Sequence, residues 1–124
     1  MSYLPYNRGA HPNFWSFIEN SPKGVAIHEI NEGIDTGDII FRKKFKIDNK
    51  KNKFSTFKKT YNYLFQQLES LFINKFKFII DKNYSKVKQS GISTFHTKDQ
   101  LPKILKNWNT NIDEFKKNYF KSLR

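Results

Sequence analysis

The stretch that decides the fold reads GVAIHEINEGIDTGDIIFRKKFKI, from Gly24 to Ile47. Its first part, Gly24–Ile30, is a short β-branched run bounded by turn residues, which is typical of a strand. From Asp38 to Ile47 apolar and basic residues alternate, which predicts a second strand with one solvated face near a sheet edge. The connection between them, Glu29–Ile40, holds two glycines and four carboxylates. Such a dense polar turn is expected to face either water or a ligand.

The residues before this stretch predict a loop and one short helix. Residues 1–12 contain two prolines and a glycine without any period, which indicates a loop. Phe14 to Ile18 have helical spacing behind Pro12, and proline suits a first helical turn because its missing N–H would be unpaired there. The segment Ser21–Gly24 is expected to end this helix.

After a polar turn at Asp48–Asn52, the period changes to three and four. Large apolar side chains recur on one stripe, which predicts a long amphipathic helix from Phe54 to about Asp81. Ser55 or Thr56 is a plausible cap near its start. The stripe is wide and needs more surface to pack on than two short strands offer.

The rest of the chain, residues 82–124, is expected to form a tail. QSGISTFHTKDQLP, which contains Gly91, predicts an irregular loop. Weak helical patterns follow at residues 101–108 and 112–120. No internal repeat or low-complexity linker is found.

Composition limits the function classes. The 124 residues have room for one domain, and the net charge of +12 favours phosphate-bearing partners of any kind. The lysines are widely spread and accompany many Asn, Ile and Phe residues, so binding to nucleic acid is not expected. The absence of cysteine excludes a disulfide framework and a thiolate metal site, and with three histidines no metal site is predicted. No run is apolar enough to span a membrane and no signal architecture is present, which favours a cytoplasmic protein.

Few residues in the chain are candidates for chemistry. Asp35 lies between Gly33 and Gly37, which would let the backbone approach a ligand closely, so its carboxylate could act as a base. The same residues are also good turn chemistry, with the carboxylate bonded to nearby amides, and both interpretations stay open on the pattern alone. Arg8 could bind a phosphate bidentately or could simply be exposed. His28 is expected to be a packed or edge histidine.

Two ordered motifs carry a family resemblance. LPYNRGAHPNFWSFIEN followed by GVAIHEINEGIDTGDII resembles the second half of the formyltransferase catalytic domain, most clearly over Ser2–Ile47 and credibly to Asp81. The later segment QSGISTFHTKD resembles a loop of the branch that formylates amino sugars. The resemblance therefore divides the chain into residues 1–81, the second half of that domain, and residues 82–124, a loop and helical tail.

The resemblance implies an α/β fold with a Rossmann-like, mostly parallel sheet. It implies transfer of a formyl group from 10-formyltetrahydrofolate to a primary amine, here of a nucleotide-linked amino sugar. The resemblance assigns the catalytic carboxylate to Asp35 and the segment that wraps the pterin to the loop before it. The loop residues are Ile30, Asn31, Glu32, Gly33 and Ile34, and the residues assigned to the substrate are Tyr6, Arg8 and His96.

Two departures from the family pattern matter. Asn31 stands where the family commonly has Asp. The catalytic Asn and His of the family would lie just before Met1, so we expect either an internal start or a second chain that supplies the first half of the domain. The alternative is a non-catalytic basic module, or a remnant, that binds a partner chain or a polyanion.

Overall fold

A computed structural model describes residues 1–124 and shows a mixed α/β architecture. Two short 3-10 turns, at Asn52–Phe54 and Lys98–Gln100, supplement the regular elements. In chain order the strands and helices are β1 (Arg8–Gly9), α1 (Pro12–Ile18), β2 (Lys23–His28), β3 (Ile39–Phe45), α2 (Phe57–Ile80), β4 (Phe95–His96) and α3 (Ile112–Ser122).

The sequence predicted α1, β2, β3 and α2, with small differences at their ends. Helix α2 begins at Phe57, because residues 52–54 form a 3-10 turn instead. Its cap is Thr56, whose hydroxyl oxygen accepts a hydrogen bond from the Lys59 N–H at 3.1 Å. This contact satisfies one of the amides that a helix start leaves without a partner.

Two parts of the sequence prediction were wrong. Residues 101–108 form turns rather than a helix. The Asn107 side chain accepts a hydrogen bond from the Asn109 N–H at 2.9 Å, a local contact that competes with a helical pattern. The N-terminal loop contains a strand, because Arg8–Gly9 pairs in parallel with Phe95–His96.

The two longer strands form an antiparallel pair. Lys23 lies opposite Phe45 at one end and His28 lies opposite Ile39 at the other, with an irregularity in register after Ile27. Helix α2 packs against β2, and Val25 of that strand is fully buried. Parallel pairing is limited to two residues of β1 and β4, and the longer pair is antiparallel, so the mostly parallel sheet that the resemblance implies is not seen within this chain.

Aromatic side chains make the core, which joins all three helices. Phe14 contacts Phe57 and Phe115 with ring centroids 5.2 and 5.4 Å apart, in tilted and edge-on geometry respectively. Offset and edge contacts of this kind add stability beyond the area buried. The buried cluster consists of Phe14, Trp15, Phe17, Phe57, Ile112 and Phe115.

Much of the apolar stripe of α2 is uncovered, as the sequence predicted. Only Phe57, Thr60 and Leu64 of this helix are buried. Seven large residues of this helix have exposed fractions from 44 to 70%: Tyr61, Phe65, Phe72, Ile73, Phe76, Phe78 and Ile80. This face has no partner within the structure.

No helix of the protein is both long and apolar enough to cross a membrane. Likewise, no three His, Cys, Asp or Glu side chains lie close enough together to hold a metal ion.

Replacing Phe57 with alanine should destabilise the protein strongly. The side chain is 1% exposed and contacts the other two helices through Phe14 and Phe115, so its removal leaves a cavity in the shared core. We expect a loss of about 3–5 kcal/mol in the free energy of unfolding, measured by urea denaturation. The matched control is Phe120→Ala, because Phe120 is 41% exposed and should cost far less. Similar losses for both variants would contradict this description of the core.

Lys23 should make stability rise with pH. Its ammonium donates to the Ser16 and Ser21 carbonyls at 3.1 Å, and burial, helped by the nearby Lys116, lowers its pKa from 10.5 to about 8. Between these two pKa values the unfolded chain holds a proton that the folded protein has released, so the free energy of unfolding increases with pH. Because the group is only partly buried, we discount the effect to about 1 kcal/mol.

Urea unfolding at pH 7.5 and pH 9.5 would measure this rise. Lys23→Met should remove it, whereas Lys50→Met, on an exposed turn, should retain it. An equal rise in the wild type and in Lys23→Met would show that Lys23 is not the responsible group.

Candidate functional site

Asp35 reaches across the fold instead of capping its own turn. Its backbone has φ of 56°, in the left-handed region, and its side chain is 37% exposed. The carboxylate Oδ2 accepts a hydrogen bond from the Gly9 N–H of β1 at 2.9 Å. The loop carboxylate is therefore fixed against the NRGAHP segment.

His28 lies beside this carboxylate. Its Nε2 is 3.7 Å from Asp35 Oδ1, and its Nδ1 is 2.8 Å from the Glu29 carbonyl oxygen. A carbonyl can only accept, so Nδ1 carries the proton in that contact and Nε2 faces the carboxylate. The sequence analysis gave His28 only a packed or edge position. The missed signal was its place at the end of β2, where the loop with Asp35 begins.

Gln89 holds the Asp35 turn in place. Its Nε2 donates to the carbonyl oxygens of Asp35 and Gly37, both at 2.7 Å. Its Oε1 accepts two hydrogen bonds from the Arg8 guanidinium, at 2.8 and 3.1 Å. The amide is thus oriented by four contacts that tie the turn, β1 and the tail together. The sequence analysis quoted Gln89 within the tail motif but assigned it no role.

A second set of tail residues fixes the start of the same loop. The Glu29 carboxylate accepts from Lys86 Nζ and from the Tyr84 hydroxyl, each at 3.0 Å. The bonds from Lys86 and Tyr84 lower the pKa of Glu29, and the bond to Glu29 raises the pKa of both partners. Charge-assisted contacts of this kind are among the stronger hydrogen bonds.

The two glycines of the loop allow its segments to approach one another closely. A Cβ on Gly37 would lie 1.5 Å from the Glu29 carbonyl oxygen, and one on Gly33 would lie 2.1 Å from the Thr36 hydroxyl oxygen. Close approach is thus needed within the loop, whereas the sequence analysis attributed it to a ligand. The Glu29 N–H also donates to the Asp38 carbonyl at 2.9 Å and closes the loop at its base.

The tip of the loop projects apolar side chains into solvent. Ile30 and Ile34 are 92 and 62% exposed, which is unusual for isoleucine. Asn31 organises the tip, since its Oδ1 accepts from the Gly33 N–H at 2.9 Å and from the Thr36 hydroxyl at 2.5 Å. An aspartate oxygen could accept the same bonds, so the departure from the family pattern at this position keeps the loop geometry.

A cavity of about 260 Å³ opens beside Asp35. Its lining combines residues of the first loop, β2 and α2 with the two titratable groups, and includes Met1, Leu4, Gly9, His28, Asp35 and Leu68. The carboxylate and the imidazole therefore face one half-open cavity whose lining is partly polar and partly apolar.

The three predicted substrate residues do not line this cavity. The Arg8 guanidinium is held by Gln89. The His96 ring stacks on Trp15, with centroids 3.8 Å apart, and its Nε2 is 3.1 Å from the Glu19 carboxylate, close enough for an ion pair but not aligned as a hydrogen bond. Tyr6 is half-buried, and its N–H donates to the Tyr3 carbonyl at 3.1 Å. The role of these residues in binding substrate stays a prediction.

A sequence model of the formyl transferase family matches residues 1–68, more than half of the chain and the whole region from β1 to the middle of α2. The chain belongs to the formyltransferase family. Its mixed α/β architecture corresponds to part of the Rossmann-like domain of that family, and the loop with Asp35 lies within the matched region.

Solved formyltransferases resemble the chain over most of its length. The formyltransferase PseJ from Anoxybacillus kamchatkensis is 35% identical with a TM-score of 0.80, covering 91% of this chain and 60% of that one. It was solved in complex with UDP-4,6-dideoxy-4-formamido-L-AltNAc and tetrahydrofolate. The N-formyltransferase from Helicobacter canadensis, complexed with folinic acid and dTDP-3-aminofucose, is 30% identical with a TM-score of 0.72. That likeness covers 82% of this chain and 37% of the other.

Curated formyltransferases match a shorter segment. The methionyl-tRNA formyltransferase of Prochlorococcus marinus (strain MIT 9312) is 48% identical over 52 residues, 41% of this chain and 16% of that protein. The dTDP-4-amino-4,6-dideoxyglucose formyltransferase of Mycobacterium bovis is 40% identical over 47 residues, 38% of this chain and 20% of that protein. The chain thus spans well under two thirds of the length of these relatives.

Removing the Gln89 amide should loosen the Asp35 turn. In Gln89→Ala the turn loses two hydrogen bonds and Arg8 loses its partner, so the Gly9 N–H should be less protected by Asp35. We expect hydrogen exchange at Gly9 to accelerate by about fivefold or more, the equivalent of about one net hydrogen bond. Gln66→Ala, an exposed position on α2, is the control and should leave exchange at Gly9 unchanged. Unchanged exchange in Gln89→Ala would mean that the turn holds its position without Gln89.

Proposed function

We propose that this protein takes part in transfer of a formyl group from 10-formyltetrahydrofolate to the primary amine of a nucleotide-linked amino sugar. The observation that carries the proposal is the Asp35 carboxylate, fixed by the Gly9 N–H and facing a cavity with His28 3.7 Å away. The proposal places the reaction in the cytoplasm.

The geometry suits the Asp35 carboxylate to accept a proton and to donate it again during the reaction. As the amine attacks the formyl carbon, a new C–N bond forms, the bond to the folate nitrogen breaks, and a proton passes from the amine to that nitrogen. A carboxylate positioned beside the reacting groups can take up the proton and return it, a contribution of about 10²–10⁴ in rate. The backbone N–H of Gly9 holds the carboxylate oxygen at one position during both events.

The loop before Asp35 suits a flat, partly apolar ring. Ile30 and Ile34 are exposed at its tip, and the Asn31 side chain stiffens the turn between them. Covering a pterin would bury both isoleucine side chains, which favours binding. The folate would supply the activated formyl group. Ile30, Asn31, Glu32, Gly33 and Ile34 would hold it next to Asp35.

The extent of the structural likeness favours an amino sugar over a tRNA as the formyl acceptor. Likeness to PseJ extends over 91% of the chain, whereas likeness to the methionyl-tRNA formyltransferase from Clostridium thermocellum covers 78% with a TM-score of 0.55. The higher identity to curated tRNA enzymes is confined to 52 residues. That short match carries less weight, because the loop motif lies in a region that sugar and tRNA enzymes share.

The donors that stabilise the oxyanion are proposed to come from the remainder of the domain, either in the same polypeptide or on a second chain. The uncovered aromatic stripe of α2 supports this, since exposed apolar patches commonly mark interfaces. A non-catalytic basic module is the second candidate, favoured by the net charge of +12. Its binding to a polyanion would weaken steeply with salt, whereas recognition of a sugar nucleotide should persist at moderate salt.

Asp35→Asn should abolish formyl transfer by the native protein while leaving its fold intact. The amide retains the shape and an acceptor for the Gly9 N–H but cannot take up the proton. We expect turnover to fall by about a hundredfold or more, measured as formyl transfer to a sugar nucleotide. Asp81→Asn, at the end of α2, is the matched control. Turnover by Asp35→Asn within a few-fold of wild type would remove Asp35 from the mechanism.

A further inference from the structure

Lys23, the first residue of β2, holds its amino group against the end of α1. The Nζ atom donates to the carbonyl oxygens of Ser16 and Ser21, both at 3.1 Å, and lies 4.6 Å from the centre of the Phe17 ring. Ser16 and Phe17 are buried, whereas Lys23 is half-buried. Three contacts therefore fix the position of this amine, in contrast to the flexible side chains of exposed lysines.

The Lys23 side chain lines an open depression of about 300 Å³ at the end of β3. Lys44 and Lys46 line it as well and add positive charge, while Asp48 adds one negative charge. Part of that carboxylate is engaged, since its Oδ1 accepts from the Lys50 N–H at 3.0 Å. The depression thus carries a net positive charge, which favours small anions such as phosphates.

The contacts of Lys23 suit a neutral amine as well as an ammonium. A neutral amino group has two N–H bonds and one lone pair, so the two carbonyls can accept both hydrogens and leave the lone pair unused. Burial, helped by Lys116 of α3, lowers the pKa of Lys23 to about 8. About a quarter of the group is then neutral at pH 7.5, against about a thousandth of an ordinary lysine. Only a neutral amine attacks an electrophile, so Lys23 combines a fixed position with nucleophilic character.

We propose that Lys23 is a modification site that small acyl phosphates acylate, and that acylation releases the end of α1 from β2. The Lys23 nitrogen attacks the carbonyl carbon and forms a C–N bond, and the C–O bond to the phosphate breaks with its electron pair on the phosphate. The proton lost from nitrogen passes to this phosphate, which leaves as hydrogen phosphate. Lys44 and Lys46 attract the dianionic donor. No step of formyl transfer uses Lys23, so this inference stands separately from the proposed function.

Acylation removes the contacts that Lys23 makes as an amine. The amide nitrogen has one hydrogen and no charge, so one of the two carbonyls loses its donor and the Phe17 ring loses its cation. Ser21, one of the two carbonyl partners, also donates its hydroxyl to Asn7 at 2.7 Å, next to β1. The turn between α1 and β2 is therefore loosened at a point that contacts the first loop.

The test incubates the folded protein with acetyl phosphate at pH 7.5 and follows each lysine by peptide mass spectrometry. Lys23 should be acetylated about fivefold faster than Lys50 or more, a margin below the ratio of neutral fractions because a less basic, half-buried amine is a weaker nucleophile. Lys50 is the control because it lies exposed in a turn. In urea the two lysines should react at similar rates. Equal rates in the folded protein, or the same preference in urea, would overturn the proposal.

A neutral donor, N-acetoxysuccinimide, separates the amine from the charge around it. Replacing Lys44 and Lys46 together with glutamine should slow acetylation of Lys23 by acetyl phosphate by about threefold, a typical contribution of exposed charges. Acetylation by the neutral donor should be unchanged. The matched control replaces Lys103 and Lys106, both exposed in the tail, and should slow neither reaction. Equal slowing with both donors, or none with acetyl phosphate, would overturn the preference for acyl phosphates.

Hydrogen exchange at the Ser21 amide measures the release of α1. This amide donates to the Ser16 carbonyl at 3.0 Å. It should exchange about fivefold faster in molecules acetylated at Lys23 than in unmodified molecules of the same sample, the equivalent of about one net hydrogen bond. The Thr60 amide in the first turn of α2 is the control and should exchange equally in both. Unchanged exchange at Ser21 would overturn the release.

Discussion

The contact between the Arg8–Gly9 strand and the tail is the constraint on which the site depends. Phe95–His96 pairs with this strand, and Gln89 bridges the Arg8 guanidinium to the backbone around Asp35. The Gly9 N–H then fixes the carboxylate itself. Segments that are far apart in the chain thus meet around Asp35. The position of this candidate base therefore depends on the whole fold and not on its own loop alone.

Sequence reasoning recovered the elements that have their own period. The alternation after Asp38 and the spacing of apolar residues in α2 follow from strand and helix geometry alone. The β1–β4 pairing could not be predicted in this way, because two-residue strands have no period and the partners are 87 positions apart. Residues 101–108 were misassigned because a weak apolar spacing was given more weight than the local hydrogen bond that the Asn107 side chain can make.

Part of the candidate site was predicted from the sequence, through the family resemblance. The rest became visible only in the structure. Resemblance singled out Asp35, and the family assignment supports the setting in which it was found. The roles of Gln89 and His28 depend on hydrogen-bond geometry and on where β2 ends, which a single sequence does not specify.

The uncovered aromatic stripe of α2 has a colloidal consequence when combined with the net charge of +12. Like charge keeps separate copies apart at low ionic strength, where repulsion between them extends for about 30 Å at 0.01 M salt. At physiological ionic strength that range shrinks to about 8 Å, and apolar faces can then meet. The solubility of this chain is thus expected to fall as salt is added, which is the opposite of the behaviour of a protein with a polar surface. Dilute buffer should be the better solvent.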